Sequence, residues 1–380
     1  MALRVLTAAD VNKITSDFSP GYLQGLMADV FALISESSSP ELPQSYTPHR
    51  ITIPTEKHKA LFMPARIVKM GTSMKVASVP TSAGDSNGIP GSTIVLDKDS
   101  GAVKAIVNSR SLTALRNAAG SLLSTTLVGP KEPIHIIGFG AGQQILYNLD
   151  IHLGAFPSIR SCTIVNRSLN SRLQDVHETL KRKYPSVNID VLASDPEGQP
   201  NTDVKDALAN ASIIITATPS KTPLFPSSWV RTGTHVILIG SYTPEMKEVD
   251  RDLIMRAALA TSSGLSKDDQ PIYPILLVDS LKACKEEAGE LLDAKLEGNQ
   301  LTEIGYLVLK ARNLVSNAEL QVERMRELLW PQEKAKDSPS FDGAITLFKS
   351  VGVGLQDVAI ACAVVDKAGD AGVIVNNYDT

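Results

Sequence analysis

Residues 134–143 read Ile-His-Ile-Ile-Gly-Phe-Gly-Ala-Gly-Gln, which is an apolar run followed at once by a glycine-rich turn. A strand that ends in Gly-x-Gly and then enters a helix is typical of a dinucleotide-binding unit. Gly138 allows the tight turn and Gly140 lets a pyrophosphate approach the backbone, while free N–H groups at the helix start face its negative charge. Ala141, Gly142 and Gln143 complete the predicted contacts. Because a single Gly-x-Gly is a weak signal, the rest of the chain must support it.

The composition is that of an ordinary globular protein. The chain has 380 residues, of which 43% are hydrophobic and 21% charged, and this length allows two domains with separate cores. The net charge of −4 provides no basic surface for nucleic acid or an anionic membrane. No apolar run approaches the roughly 20 residues of a transmembrane helix. The three cysteines are far apart and form no CxxC pair, which fits a reducing compartment. We expect a soluble, cytoplasmic protein.

The spacing of apolar residues changes at Pro130. Before it, residues 20–36 have helical spacing, residues 50–107 contain short β-rich runs, and Ser111 is a candidate N-cap for a helix through Leu123. After it, strand candidates alternate with helix-length segments, which predicts an α/β fold with a doubly wound parallel sheet. These strand candidates are 134–137, 162–165, 212–216 and 235–239, with 257–260 and 275–278 weaker. The later helix candidates are 282–296, 303–328 and 351–368.

The end of the second strand candidate bears on the choice of cofactor. NAD-binding units usually carry Asp or Glu here, about 20 residues after the glycines, to bind the ribose 2′-OH. This chain has Asn166, Arg167 and Ser168 instead. A guanidinium and a hydroxyl can bind a 2′-phosphate, and no carboxylate repels it, so the turn favours NADPH over NADH. The alternative is that Arg167 is a solvated loop residue.

A later strand candidate ends in Thr216-Ala217-Thr218. Doubly wound sheets place cofactor or substrate contacts at such strand ends. An ordinary transition from strand to turn is the alternative. These three residues join the predicted cofactor set, as does Ser241, which follows the strand candidate 235–239.

A second signal comes from eight stretches that occur in a fixed order. They are 5–11, 112–119 (Leu-Thr-Ala-Leu-Arg-Asn-Ala-Ala), 165–168 (Val-Asn-Arg-Ser), 216–220 (Thr-Ala-Thr-Pro-Ser), 233–235, 287–290 (Glu-Ala-Gly-Glu), 345–352 (Ile-Thr-Leu-Phe-Lys-Ser-Val-Gly) and 356–357 (Gln-Asp). In these stretches the chain resembles the ornithine cyclodeaminase/μ-crystallin family of nicotinamide-dependent proteins. The resemblance extends over nearly the whole chain.

The resemblance implies a Rossmann-type NAD(P)-binding domain over residues 130–350. Residues 1–129 with 351–380 would form a second α+β domain that binds substrate and makes a homodimer. In the family, two arginines and a lysine hold the substrate carboxylate, and the matching residues here are Arg50, Lys75 and Arg116. Ser350 would lie near the nicotinamide, and Gly352 would allow close approach of the backbone.

Two departures from the family pattern bear on activity. Ornithine cyclodeaminases carry an acidic residue where this chain has Tyr242. A phenol ordinarily keeps its proton up to about pH 10, so it cannot replace a carboxylate base. This weakens a cyclodeaminase reading and agrees with ketimine reductases, which lack the acid and use NADPH. Gly142 also replaces a larger residue in the phosphate turn. Extra residues near 265–274 and 329–339 either reshape the pocket rim or are tolerated loops.

The sequence therefore predicts an NADPH-dependent imine or ketimine reductase acting on a small carboxylate-bearing cyclic imine or imino acid. The carboxylate would be held so that the imine carbon faces the nicotinamide. Lys75 or Tyr242 could donate the proton, as could water or an already protonated substrate, and Tyr242 could equally be a wall residue. Three alternatives stay open: ornithine cyclodeamination with bound NAD, dehydrogenation of an amino acid such as alanine, and NADPH-dependent binding of a small ligand without catalysis.

Overall fold

The computed structural model describes residues 2–36, 44–81, 89–194, 201–258, 275–296, 300–317, 320–329 and 340–378. The chain divides into two compact units. Unit 1 comprises residues 1–116 and 352–380, and unit 2 comprises residues 117–351. The first boundary falls inside a helix, whereas the apolar pattern of the sequence changes only after that helix.

The described residues form sixteen strands, which are numbered in chain order. They are β1 (Leu3–Leu6), β2 (Ser45–Tyr46), β3 (Ile51–Pro54), β4 (His58–Ile67), β5 (Gly71–Pro80), β6 (Gly91–Leu96), β7 (Val103–Asn108), β8 (His135–Phe139), β9 (Ser161–Asn166), β10 (Asn188–Ala193), β11 (Ile213–Thr216), β12 (His235–Leu238), β13 (Ile275–Val278), β14 (Thr302–Glu303), β15 (Thr346–Lys349) and β16 (Val373–Val375).

The same part of the chain forms twelve α-helices. They are α1 (Ala8–Thr15), α2 (Pro20–Glu36), α3 (Leu112–Val128), α4 (Gln143–Ala155), α5 (Ser171–Lys183), α6 (Thr202–Asn210), α7 (Arg251–Ala258), α8 (Leu281–Glu287), α9 (Gly289–Ala294), α10 (Ile304–Val315), α11 (Val322–Leu329) and α12 (Gly354–Asp366). No described helix is both long enough and apolar enough to cross a bilayer.

Unit 1 is built on a mixed sheet whose strand order is β16-β1-β7-β6-β5-β4-β2, with β3 also paired to β4. Strands β1 and β7 are parallel, and the pairs from β4 to β7 are antiparallel. Every second residue of β5 from Gly71 to Ala77 is buried, because successive side chains of a strand point to opposite faces. Helix α12 packs against β4, β5 and β6 and is buried from Leu355 to Val364. Lys75 therefore lies on the buried face of its sheet.

Unit 2 contains a sheet of strand order β10-β9-β8-β11-β12-β15-β13-β14 in the described residues, and all of its pairs are parallel. Strands β8, β11 and β12 are buried at every residue, as expected when helices cover both faces. One face packs on α6, α7 and α9 in a core that includes Ile137, Ile214, Val236, Leu208, Leu253 and Leu291. The predicted parallel α/β sheet is confirmed.

The order of strands reverses at β8, and this reversal predicts where the sheet would bind a ligand. From β8 the chain builds outward through β9 and β10 on one side, and it builds β11 and β12 on the other. Ligands of open α/β sheets bind outside the carboxyl ends of the strands at such a reversal. The glycine-rich turn follows β8 directly, so it lies at this point.

Four local predictions were wrong. Residues 303–328 do not form one helix, because α10 ends at Val315 and the next residue, Ser316, has a left-handed backbone. Residues 257 and 258 end helix α7 rather than forming a strand, because Leu253, Ile254, Ala257 and Ala258 are buried along one helical face. Residues 282–296 form two helices that meet at Ala288, which has an extended backbone. The Ser111 hydroxyl is buried and has no hydrogen-bond partner in the described structure, so it does not cap α3. Residues 259–260 and 265–274, and nearly all of 329–339, lie outside the described residues.

Candidate cofactor and substrate sites

The glycine-rich turn adopts a conformation that requires its second glycine. Gly140 has φ +125°, and its N–H donates a hydrogen bond of 2.8 Å to the carbonyl of Val165. A Cβ at this position would lie 3.0 Å from the carbonyl oxygen of Ala217. The turn therefore brings the ends of β8, β9 and β11 together without a side chain at residue 140.

The helix that follows has a start suited to an anion. Gly142 is the N-cap of α4, and no described side chain caps its N–H groups. The first N–H groups of a helix lack partners within the helix, and its dipole favours negative charge there. Gly142 and Gln143 are exposed and Ala141 is half-buried. A Cβ on Gly142 would meet no atom within 4 Å. The turn thus fits the pyrophosphate of a dinucleotide.

The turn after β9 exposes a cation. The side-chain amide of Asn166 donates a hydrogen bond of 2.9 Å to the carbonyl of Ser168, which holds the turn closed. Arg167 and Ser168 are exposed, and the Arg167 guanidinium makes no hydrogen bond or ion pair with the described residues. A guanidinium and a hydroxyl therefore stand beside each other at the strand end.

The ends of β11 and β12 are joined by Glu248. Its Oε1 accepts hydrogen bonds from Thr218 N (2.7 Å) and Thr218 Oγ1 (3.0 Å), and its Oε2 accepts one from Gly240 N (2.7 Å). Ala217 N donates to the carbonyl of Phe139 over 3.0 Å, so Thr216-Ala217-Thr218 also contacts the end of β8. A Cβ on Gly240 would lie 2.1 Å from Thr218 O, so the chain can pass here only without a side chain.

Ser241 and Ser350 are buried and bonded to charged side chains. The Ser241 hydroxyl donates to Glu290, and Lys349 Nζ donates to Ser241 O (2.6 Å) and Ser241 Oγ (2.9 Å). The Ser350 hydroxyl donates to Asp279 Oδ2 over 2.7 Å. The half-buried Tyr242 follows Ser241 at the same end of the sheet.

In unit 1, Lys75 and Arg116 meet on one carboxylate. Lys75 Nζ lies 2.9 Å from Asp357 Oδ1, and Arg116 Nε lies 3.4 Å from the same oxygen. Lys75 Nζ also donates to Thr113 Oγ1 over 2.6 Å. The side chains of Lys75, Arg116 and Asp357 are all less than one-tenth exposed. Two of the three predicted carboxylate-binding cations therefore form a buried cluster.

The electrostatics of this cluster keep the Asp357 carboxylate ionised and make the Lys75 ammonium more acidic than usual. Burial alone would raise the pKa of Asp357, but Lys75 and Arg116 outweigh it and hold that pKa below its usual value. Burial lowers the pKa of Lys75 and Arg116 lowers it further, although Asp357 acts in the opposite direction. Lys75 is thus easier to deprotonate than a surface lysine.

Gly352 and Gln356 position the Arg116 guanidinium. Gly352 has φ +84°, and a Cβ on it would lie 2.7 Å from Arg116 Nη1. Gln356 Oε1 accepts a hydrogen bond of 2.8 Å from Nη1. Within unit 1, the backbone of Gly352 therefore makes its close approach to the Arg116 guanidinium.

Arg50 immediately precedes β3 in the sheet of unit 1 that contains Lys75. It is half-buried and immediately precedes Ile51, which pairs with Phe62, while the next residue of β4, Met63, pairs with Lys75. Arg50 therefore lies at the level of Lys75, two strands away, which corresponds to roughly 10 Å between the backbones.

Sequence patterns predicted no role for five buried charged residues, which are Glu248, Asp279, Glu290, Lys349 and Asp357. Three of them stand in stretches that resemble the family, but resemblance alone did not say what they bind. A usable signal was a charge inside an apolar segment, as Lys349 follows Leu347-Phe348 and Asp357 lies in a helix of small apolar residues. Glu248, in a polar loop, carries no such signal.

One cavity of unit 2 is separate from these residues. It follows the edge strand β10 between α5 and α6 and reaches the first residues of β8 and β9, His135 and Ser161. None of the predicted cofactor residues lines it. No group of three or more His, Cys, Asp or Glu side chains could hold a metal ion within the described ranges.

The sequence profile of the ornithine cyclodeaminase/mu-crystallin family matches residues 22–372. The chain belongs to this family. The predicted resemblance is thereby confirmed over most of the chain.

Two curated relatives of the chain are named reductases. It is 32% identical over 175 residues to the Delta(1)-pyrroline-2-carboxylate reductase of Paracoccus denitrificans (strain Pd 1222), a match that spans 46% of this chain and 52% of that enzyme. It is 24% identical over 326 residues to the ketimine reductase mu-crystallin of Rattus norvegicus, which spans 84% of both chains. The expected enzyme class, an oxidoreductase of carbon–nitrogen bonds, agrees with both names.

A solved structure has the same fold. The Delta(1)-pyrroline-2-carboxylate reductase of Thermococcus litoralis, in complex with NADH and L-proline, has a TM-score of 0.74 and 20% sequence identity. The match covers 98% of this chain and 99% of that one. At this identity it supports the fold, and it agrees with the predicted α/β class.

Proposed function

We propose that this chain is an NADPH-dependent reductase of a small cyclic imine that carries a carboxylate next to the imine carbon. The proposed substrate class rests on one observation, the buried cluster of Lys75, Arg116 and Asp357. Lys75 and Arg116 are cations of the kind that binds carboxylates, and both are buried beside the same oxygen of Asp357. An Arg fork can bind a carboxylate in a bidentate manner, so a carboxylate on the substrate suits these two side chains.

The choice of NADPH rests on the turn after β9. Arg167 and Ser168 are exposed beside each other, and the turn 166–168 has no carboxylate. An extra phosphate on the ribose could accept charge-assisted hydrogen bonds from both side chains. The glycine turn and the uncapped start of α4 would hold the pyrophosphate of either nicotinamide dinucleotide equally well.

Of the two candidate proton donors, Lys75 and Tyr242, we favour Lys75. Two of its ammonium hydrogens have acceptors, Thr113 Oγ1 and Asp357 Oδ1, and the third has none in the described structure. When bound, NADPH supplies the hydride that adds to the imine carbon. Lys75 would supply the proton that the imine nitrogen gains, and the product is a secondary amine. The lowered pKa of Lys75 makes this transfer easier.

A panel assay tests the proposed function directly. Cyclic ketimines and pyrroline carboxylates are mixed with the protein and NADPH, and the loss of absorbance at about 340 nm is followed. We expect turnover of at least one carboxylate-bearing imine and none of its analogue without the carboxylate. Ammonia release from ornithine without reductant, or NAD reduction by an amino acid alone, would assign a different reaction. Tight ligand binding with NADPH left intact would contradict catalysis.

Replacing Arg167 tests the cofactor assignment. In Arg167→Ala we expect the preference for NADPH over NADH to fall at least tenfold, because a hydrogen bond to a charged group contributes about 1.5–3 kcal/mol. Arg182→Ala is the matched control, since Arg182 is an exposed arginine in the last turn of α5. The assignment is wrong if the ratio of the two dissociation constants is the same in Arg167→Ala and wild type.

We also propose that the protein is a cytoplasmic homodimer. The basis is the family resemblance and the widely spaced cysteines, all three of which are free and buried. Light scattering coupled to gel filtration measures the mass directly, and a monomeric mass would contradict the dimer.

A further inference from the structure

Buried charges join the carboxyl ends of neighbouring strands in unit 2. Strands β11, β12 and β15 are adjacent in the sheet. Lys349 is the last residue of β15, Gly240-Ser241 follows β12, and Thr218 follows β11. Glu248 and Glu290 reach these strand ends from the loop after β12 and from α9. Lys349, Glu248 and Glu290 are each at most 1% exposed.

Lys349 makes two hydrogen bonds and one ion pair within a small region. Its Nζ lies 2.6 Å from Ser241 O, 2.9 Å from Ser241 Oγ and 2.9 Å from Glu290 Oε1. The Ser241 hydroxyl in turn donates to Glu290. Both the backbone and the side chain of Ser241 are therefore fixed relative to β15 and α9.

Glu248 fixes the two preceding strand ends. Its carboxylate accepts from the backbone N–H groups of both Thr218 and Gly240. Burial raises the pKa of Glu248, while Lys349 and the Thr218 N–H lower it. Gly240 packs so closely on Thr218 that a Cβ there would lie 2.1 Å from its carbonyl oxygen. The segment from Gly240 to Ser241 is thus held on both sides.

Stability alone does not account for this network. Burying charges is costly, and apolar side chains of similar volume often give the same or greater stability. What the charges add is direction, because each hydrogen bond sets the position of a particular backbone atom. The atoms held are those at the ligand-binding edge of a doubly wound sheet.

We propose that Lys349, Glu290 and Glu248 are positioning residues that hold Thr218 and Gly240-Ser241 as a rigid support for the nicotinamide ring. The inference rests on the proposed function, since it concerns the cofactor of that reaction. It assigns these residues no contact with the reacting atoms. They act through the strand ends that they fix.

The test removes both members of the Lys349–Glu290 ion pair, while Glu248 keeps its hydrogen bonds from the N–H groups of Thr218 and Gly240. The double variant Lys349→Met/Glu290→Gln is compared with wild type. The comparison therefore does not depend on whether Lys349→Met alone folds. The control, Lys183→Met/Asp150→Asn, removes a more exposed ion pair of unit 2, whose Nζ and Oδ1 lie 2.7 Å apart. The measurements are thermal midpoint, NADPH dissociation constant, fluorescence of the bound reduced nicotinamide, kcat and the KM for the imine.

We expect the double variant to bind NADPH with a dissociation constant of the same order as wild type, because the adenosine half is bound elsewhere. The fluorescence enhancement of the bound nicotinamide should be lost, and kcat should fall about 10- to 100-fold with little change in KM for the imine, since small misplacements slow hydride transfer strongly. The control should match wild type in every readout.

Two results would overturn the inference. One is unchanged nicotinamide fluorescence and kcat with only a lower thermal midpoint, which is the outcome for a purely structural ion pair. The other is a wild-type protein that binds neither NADPH nor NADH. If wild type binds NADPH but reduces no imine, the proposed reaction fails, and loss of fluorescence enhancement in the variant would still support the positioning role.

Discussion

Asp357 controls the charge of its surroundings because it is the carboxylate shared by Lys75 and Arg116. It lies in α12 among small apolar residues and is 3% exposed. Its pKa lies below the usual value, so it stays ionised at neutral pH and favours the charged form of Lys75. One residue therefore influences both the stability of unit 1 and the protonation of the proposed proton donor.

For Asp357→Asn we expect a loss of roughly 3–5 kcal/mol in the free energy of unfolding, because two buried cations lose a carboxylate that both of them contact. The pKa of Lys75 should fall further, so the alkaline limb of kcat/KM should move to lower pH. Thermal unfolding and a pH–rate profile measure the two effects.

Asp366→Asn is the matched control for this variant. Asp366 ends the same helix and pairs with Lys104, but these side chains are 69% and 46% exposed. Exposed pairs contribute little, so this variant should behave as wild type. An alkaline limb that does not move in Asp357→Asn would contradict the role of Lys75 as proton donor.

At the scale of elements, two glycines have equal space around them, yet we expect their replacement by alanine to change stability in opposite directions. Gly25 lies inside α2 and Gly101 lies in the turn between β6 and β7, and a Cβ on either would meet no atom within 4 Å. They differ in backbone conformation, because Gly101 has φ +74° and its N–H donates to the carbonyl of Asp97. Packing cannot explain any difference between substitutions at these two positions.

Gly25→Ala should raise the free energy of unfolding by about 1 kcal/mol, since glycine is a poor helix former. Gly101→Ala should lower it by about 1–2 kcal/mol, since an L-residue is strained in the left-handed region. Thermal midpoints of the two variants measured side by side give the signs. Shifts in the same direction would show that backbone conformation does not decide stability here.

At the scale of the whole molecule, we expect stability in acid to depend on two buried histidines of unit 2. His152 contacts Asn148 O and Thr125 Oγ1, and His235 contacts Ser124 Oγ and Thr346 Oγ1, all within unit 2. Burial is the main reason that the pKa of His152 falls to about 4 and that of His235 to about 3. In the unfolded chain both would protonate near the ordinary value of about 6.5.

Because the folded pKa values are lower, the unfolded state takes up protons first as pH falls below about 6.5. Stability should be complete above that pH and decrease as pH falls toward 4. Between pH 7.5 and 5 each histidine should cost roughly 2 kcal/mol, at 1.36 kcal/mol per pKa unit. The thermal midpoint should therefore drop steeply over this range.

The double variant His152→Gln/His235→Gln isolates the two imidazoles. It should be less stable than wild type at pH 7.5, because both rings are bonded and fully packed, yet its midpoint should depend less on pH. Equal slopes in the two proteins would assign the acid sensitivity to other groups.

Local sequence patterns predicted much of the fold. Helix α2 begins and ends where its apolar spacing indicates, and the strand candidates at 162 and 235 match β9 and β12 within one residue at each end. The errors arise where distant contacts intervene. The helix expected over 282–296 breaks before Gly289, where a Cβ would lie 2.0 Å from the carbonyl oxygen of Met246. No spacing rule within that segment can report this contact.

The amino-acid sequence by itself determined the parallel α/β sheet, the glycine turn at the end of β8 and the family, because apolar periodicity and turn glycines act over a few residues. The tertiary structure decided which charges share a carboxylate. Lys75 and Asp357 are 282 residues apart in the chain, and Lys349 is 108 residues from Ser241. The strength of such pairs depends on burial and on distances of about 3 Å, which exist only after the sheets and helices have packed.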